Sequence, residues 1–470
     1  MKRRKWKGIA ALAAILWICA GVSASAAEAG EGEAPPAEGQ VELTEEEKLQ
    51  QELDAVYAMP VQSNETEGWP QGPGTYGEAA VVMEVESGAI LYAKNIDEHH
   101  FPASITKLLT ALVAFENGEF ADPVVFSHES LAFLEPGDAY IGMKEGNQIT
   151  LEQALYATLL ASANEAAYAV AENVGKNAGH DYAWFLEQMN ARCRELGGEN
   201  SNFMNPHGLH DDNHYTCARD MALIGRELFS HPEFFNIVQT MNYTIPASET
   251  TEEHIFQQKH KMLKEGNAYY YEYAVGGKTG YTDQALSTLV TMADNGSMQL
   301  VCVVLKTHGA NVYPDTRNLL EYGFANFRKE LPAANEKSED VAQILDEKNI
   351  VVPAGAEFKD LEMEIVPDED TADEGLLVYS YKGSPAGSVR AVLSQSYLDK
   401  QKAAEEQEKK SARKGDEESG KDKKSGMTVN RQILKKCFLG AAGVLFVVLS
   451  AVLVKLLLDS KRRGKKRKKK

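Results

Sequence analysis

Strand-like runs sit at both ends of a long helical block, and that order limits what the chain can fold into. Ala79 to Val85 and Ala89 to Ala93 are apolar runs joined by Glu86-Ser-Gly88, which reads as a β-hairpin. Far downstream come Tyr273 to Tyr281, Leu286 to Ala293 and Met298 to Lys306, the last two meeting at the hairpin turn Asp294-Asn-Gly296. Between these groups the apolar spacing is helical. Leu151, Leu155 and Leu159 stack on one helix that should stop near Leu160. Further helices are expected at Asn164 to Val174, Ala183 to Leu196 and Met221 to Phe229, and Tyr313 to Phe327 closes the domain. The expectation is a mixed α and β fold, an antiparallel sheet flanked by helices, whose first and last strands meet.

The ends of the chain have a different chemistry from its body. Of a net charge of −20, residues 2–7 contribute +5 and residues 459–470 contribute +8, which leaves −33 for everything between. An acidic body repels phosphate, so nucleic acid is not expected as a partner. Basic residues, an apolar run from Gly8 to Val22 and the small residues Ser23 to Ala27 read as a signal peptide over 1–27. Residues 437–458 are apolar up to Lys455 and long enough to span a bilayer as a transmembrane helix, with the basic tail 459–470 left in the cytoplasm. The expected product is an exported body on the outer face of the cell membrane, held by one C-terminal span.

The remaining boundaries follow composition. Residues 28–76 form an acidic spacer, containing a capped helix from Thr44 to Met59. The main domain is expected at 77–330. A small all-β domain is expected at 335–395, where Asn349 to Pro353, Leu361 to Val366, Leu376 to Tyr381 and Ser388 to Leu393 alternate between turn signals. Residues 396–436 read as a charged tether. Of the five cysteines, Cys193, Cys217 and Cys302 lie in the body, so at most one disulfide can form there.

Three short motifs can carry chemistry. Ser104-Ile-Thr-Lys107 places a hydroxyl and an amine one turn apart where a helix begins after Pro102. A lysine desolvated beside other cations can act as a base toward that serine. Ser162-Ala-Asn164 lies between two helices; its hydroxyl can relay a proton and its amide can hold substrate backbone. Lys278-Thr-Gly280 lies on a strand, where alternation puts Lys278 and Gly280 on one face and Thr279 on the other. Each motif alone also has an ordinary structural reading: a capped helix, an N-cap serine, a lysine at a strand edge. Ser411-Ala-Arg-Lys414 repeats the first motif inside the charged tether. His207, His210 and His214, with Asp211 and Asp212, fall in a loop where their spacing does not converge on one face, so no metal is expected there.

In order, and 58 and 116 residues apart, the three motifs resemble the serine-type D-alanyl-D-alanine carboxypeptidases, low-molecular-weight penicillin-binding proteins with a β-lactamase/transpeptidase-like fold. Asn205-Pro-His-Gly-Leu209 and Leu319-Leu-Glu-Tyr-Gly-Phe324 are similar to that family as well. The resemblance implies that Ser104, activated by Lys107, attacks the bond between two D-alanines of a peptidoglycan stem peptide. It implies that Ser162 and Lys278 assist proton transfer, and that Thr279 and Lys278 hold the terminal carboxylate. Asn164, Gly280 and Tyr281 would bind substrate, with the Ser104 and Tyr281 N–H groups as oxyanion hole. No cofactor is implied, and β-lactams should trap Ser104. Leu286 departs from the family, which usually has glycine there. Related readings are a β-lactamase, a D,D-endopeptidase and a non-catalytic wall-binding scaffold.

Overall fold

A computed structural model describes residues 43–407 apart from 369, 372 and 405. The expected signal peptide, transmembrane helix, basic tail and most of the tether lie outside the described residues, as do Cys19 and Cys437. Among the described residues no helix is long and apolar enough to cross a membrane.

The chain divides into two compact units, one ending at Ala58 and one starting at Met59. The first contains the helix Glu45–Tyr57, started by a capping box in which Thr44 and Glu47 satisfy each other's backbone N–H groups.

The second unit is built on a five-stranded antiparallel sheet. Its order is Ile90–Lys94, Ala79–Glu84, Gln299–Thr307, Leu286–Asp294 and Ala274–Thr282. The first and last strand groups do meet: Val81 faces Val303 and Met83 faces Val301 across the ladder. Both faces are covered, which explains why the strands read as continuous apolar runs. Val81, Met83, Val301, Val303 and Leu305 face the main helical core. Ala80, Val82, Leu300, Cys302 and Val304 face the closing helix Val312–Asn326 and Trp69. Trp69 donates from Nε1 to Leu91 O at 2.9 Å, so packing begins upstream of residue 77.

The central helix Lys107–Asn117 is buried on every side from Lys107 to Ala114. Such a helix can only sit in a core. The helix at Leu151 departs from its expected form. It is regular from Leu151 to Tyr156, then widens into a π-turn from Ala157 to Ala161. Beyond the main sheet, Val341–Ile344, Ser384–Leu393, Glu374–Tyr381 and Glu362–Pro367 form a four-stranded sheet in that order. Phe327–Glu330 pairs with Ile350–Pro353. Glu86 links this region to the main sheet, accepting from Asn349 N at 2.9 Å and Lys329 Nζ at 2.9 Å. Cys193, Cys217 and Cys302 are all free and buried.

Leu286 opens its strand with φ of +53°, a left-handed conformation that favours glycine. A side chain held there costs about 1–2 kcal/mol, against about 0.5–1 kcal/mol for glycine's extra unfolded-state freedom. We therefore expect Leu286→Gly to leave the protein as stable as the parent or more stable, by up to about 1 kcal/mol in thermal unfolding. A clear loss of stability would mean that the leucine side chain carries packing worth more than its backbone strain.

Candidate active site

Ser104 sits in the tight turn Ala103–Thr106 immediately before the central helix, rather than in the helix itself. Three neighbours fix that turn. Thr288 Oγ1 donates to Pro102 O at 2.9 Å, and Thr106 Oγ1 lies 2.9 Å from His214 Nε2. Gly208, at φ +84°, lies so close that any Cβ would strike the Ala103 carbonyl oxygen. Of that loop's histidines, His214 thus braces the turn that carries the serine. Burial lowers the His214 pKa to about 4, so it stays neutral.

Lys107 Nζ is fully buried and lies 3.0 Å from Ser104 Oγ. It donates to Asn164 Oδ1 at 2.7 Å and to the His207 carbonyl at 2.5 Å. Burial pushes the Lys107 pKa well below the ordinary lysine value; the positive charges of Lys278 and Lys259 add to this, while Glu165 and Asp138 oppose it. A neutral amine has two N–H groups and one lone pair. With both N–H groups taken, the lone pair is left for the serine hydroxyl. That is the state a general base needs.

Ser162 closes the π-turn in a left-handed conformation, φ +62° and ψ +29°. It is not the helix N-cap that the sequence permits. Lys278 Nζ, also buried, donates to Ser162 Oγ at 2.9 Å and to Thr279 O at 2.7 Å. Burial, then the charge of Lys259, lowers the Lys278 pKa to about 7. Lys278 and Gly280 are buried while Thr279 is half-buried and lines the cleft, as strand alternation requires. The strand's regular pairing is broken between Ala274 and Gly276, and Gly277 takes φ +141° just before Lys278. Gly280 lets this edge strand approach the serine: a Cβ there would meet Thr288 Oγ1 and lie 2.9 Å from Ser104 N.

Ser104, Ser162, Asn164, Thr279, Gly280 and Tyr281 all line one cleft of about 1280 Å³. Lys107 and Lys278 lie buried behind them. The sequence reading missed Lys259, which lines this cleft together with Lys261, because its surroundings Gln258-Lys-His-Lys261 carry no motif of their own. It also missed the His207 carbonyl, since a main-chain acceptor leaves no trace in residue type. Among the described residues the closest metal-like grouping is Glu116, Glu227 and His231. Arg192 already pairs with both glutamates there, at 2.8 and 2.6 Å.

The sequence profile described as D-alanyl-D-alanine carboxypeptidase, peptidase S11, matches residues 69–309, just over half of the chain. The chain belongs to the D-alanyl-D-alanine carboxypeptidase family. It is a serine peptidase, and the family's reaction is its reaction. It is 29% identical to the D-alanyl-D-alanine carboxypeptidase DacA of Haemophilus influenzae over 71% of this chain and 86% of that one. With DacF of Bacillus subtilis it shares 30% identity over 53% of this chain, and the match spans 62% of DacF. Penicillin-binding protein 5 of Haemophilus influenzae has the same fold, with a TM-score of 0.54 and 26% identity over 69% of this chain and 98% of that chain. The Streptomyces K15 DD-transpeptidase matches at a TM-score of 0.50 and 25% identity, covering 55% of this chain and all of that one.

Two outcomes test the geometry of this family member. Acylation of Ser104 should fall as the pH is lowered through the depressed Lys107 pKa, because the lysine must be unprotonated to accept the proton. If Lys107 is the base, the profile should show no rise near pH 10.4, where free lysine titrates. A rise there in the pH–rate profile would mean that Lys107 is charged at neutral pH. Gly280→Ala, which displaces the strand from Ser104, should slow acylation by about a hundredfold; an unchanged rate would show that the strand can move aside freely.

Proposed function

We propose that Ser104 is the nucleophile, that Lys107 is its base, and that the enzyme removes the terminal D-alanine from peptidoglycan stem pentapeptides. The observation that carries this is the Lys107 amine, with two acceptors for its two N–H groups and Ser104 Oγ at 3.0 Å. The hydroxyl proton passes to Lys107 as Oγ bonds to the carbonyl carbon between the two D-alanines. Backbone N–H groups of Ser104 and Tyr281 stabilise the oxyanion. The C–N bond breaks as the leaving amine takes a proton through Ser162, which Lys278 can resupply. Water then adds to the acyl-enzyme and frees Ser104.

Substrate enters along the free edge of the Ala274–Thr282 strand, where an extended peptide can add as a further strand. Asn164 holds its backbone, and Thr279 with Lys278 holds the terminal carboxylate. A β-lactam presents a similar carbonyl and carboxylate and would acylate Ser104. The acidic body, basic tail and apolar 437–458 segment support an exported enzyme held at the outer face of the cell membrane.

The ectodomain and its Ser104→Ala variant would be incubated with a fluorescent penicillin while D-alanine release from a stem-pentapeptide mimic is measured. We expect labelling and release in the parent and neither in the variant. Labelling without release would point instead to a D,D-endopeptidase or a scaffold that keeps its acylation site. Rapid loss of label with hydrolysed penicillin would mark a β-lactamase. The anchor has its own measurement: the full chain should sediment with membranes, and a chain ending before residue 437 should not.

A further inference from the structure

The residue after Ser162-Ala-Asn164 is Glu165, and its carboxylate is fully buried beside the cleft. Nothing in the proton transfers above uses it. It sits in the first turn of the helix Asn164–Asn177, and Oε1 accepts from Ile141 N at 2.7 Å and Gly142 N at 3.2 Å. The neighbouring Asn164 N donates to Ala139 O at 2.8 Å. These bonds fasten one segment, the strap from Glu135 to Met143, which has no helix or strand of its own.

The strap has features of a movable piece. Gly137 and Gly142 bracket its middle at φ +106° and +88°, and open space surrounds the position of a Cβ at each. Tyr140, between them, is 61% exposed. Pro136, Gly137, Asp138 and Ala139 form cleft wall, as does the strand carrying Thr279 and Gly280. On its other side the strap is held by His254, whose Nδ1 lies 2.9 Å from Ile141 O. A buried carboxylate is costly unless its hydrogen bonds are worth the cost. Here those bonds are to a loop that walls the cleft, together with the 204–211, 279–284 and 309–313 segments.

We propose that Glu165 is a positioning residue: it clamps the Glu135–Met143 strap so that the cleft is held at the width that seats the stem peptide against the Ala274–Thr282 strand. Its contribution is to substrate binding, and it acts through the strap rather than on the reacting atoms. An acceptor at Oε1 is what the clamp requires. Glutamine retains that acceptor and alanine does not.

The inference rests on the carboxypeptidase reading for its kinetics, so the test has a second readout independent of turnover. Steady-state D-alanine release would be compared for the parent, Glu165→Ala and Glu165→Gln, alongside amide hydrogen exchange at Ile141 and Gly142. Glu165→Ala should raise KM about tenfold with kcat within about threefold of the parent. It should also expose the two amides to rapid exchange. Glu165→Gln should restore both KM and protection. Should the alanine variant fail to fold, Glu165→Asp serves instead, because a carboxylate one methylene shorter cannot reach both N–H groups. A fall in kcat at unchanged KM, or a glutamine variant as impaired as alanine, would overturn the proposal in favour of an electrostatic effect on Lys107. Unchanged amide exchange in Glu165→Ala would overturn it outright. If the parent releases no D-alanine, the carboxypeptidase reading fails, and exchange alone decides the clamp.

Discussion

Burial of the Lys107 amine is the constraint on which the rest of the site depends. A lysine in water is protonated at neutral pH and cannot take a proton from serine. Here loss of hydration lowers its pKa well below the usual range, and the charges of Lys278 and Lys259 push in the same direction. Burial alone would be destructive, because an unsatisfied buried amine costs stability. The Asn164 amide and the His207 carbonyl satisfy its N–H groups without adding a negative charge that would restore the proton. Depressing the pKa and satisfying the amine are therefore one arrangement, and it needs three chain segments far apart in sequence.

That requirement accounts for much of the architecture. The helix starting at Lys107 must be central, because a surface helix could not strip water from its first residue. The sheet must carry its Ala274–Thr282 strand at the edge, beside the serine, so that Lys278 reaches Ser162 while the strand pairs with a neighbour on one side only in that sheet. Half of the six non-glycine residues with positive φ among the described residues lie at the same place, with Asn95, Lys306 and Lys382 elsewhere. Ala103, Ser162 and Leu286 take positive φ without being glycine, and all three lie in or beside the catalytic segments. Such conformations persist only where surrounding contacts over-determine them. Here those contacts include Gly208 against Ala103 and the π-turn leading into Ser162.

The sheet and its helices were legible because apolar periodicity is a local property that the final packing keeps. The continuous runs at Ala79–Glu84 and Gln299–Thr307 reflect two covered faces. The site was legible for a different reason. Ser104, Lys107, Ser162 and Lys278 meet through their side chains, so the residue types that bring them together can be read in the sequence. What stayed hidden is what residue type does not encode. The His207 carbonyl works through its main chain, the π-turn before Ser162 is a packing outcome, and Lys259 matters through charge at a distance. Leu286 stood out as an odd residue, but only its φ of +53° gives that oddness a physical meaning.

The same distinction separates chemistry from selection in this enzyme. Bond-making groups sit on rigid elements: a turn locked to a central helix, a π-turn, and a strand paired along its length. The cleft wall at Glu135–Ala139 belongs instead to a strap with glycines at Gly137 and Gly142, fastened by few bonds. A rigid catalytic centre is needed because a displacement of about 1 Å there can cost a hundredfold in rate. A wall that only has to fit a peptide can be held more loosely and tuned through its fastening. Glu165 stands at that junction: it is the next residue after Asn164, which accepts from Lys107, while its own carboxylate reaches the strap. One helix start thus touches both the buried lysine and the wall of the cleft.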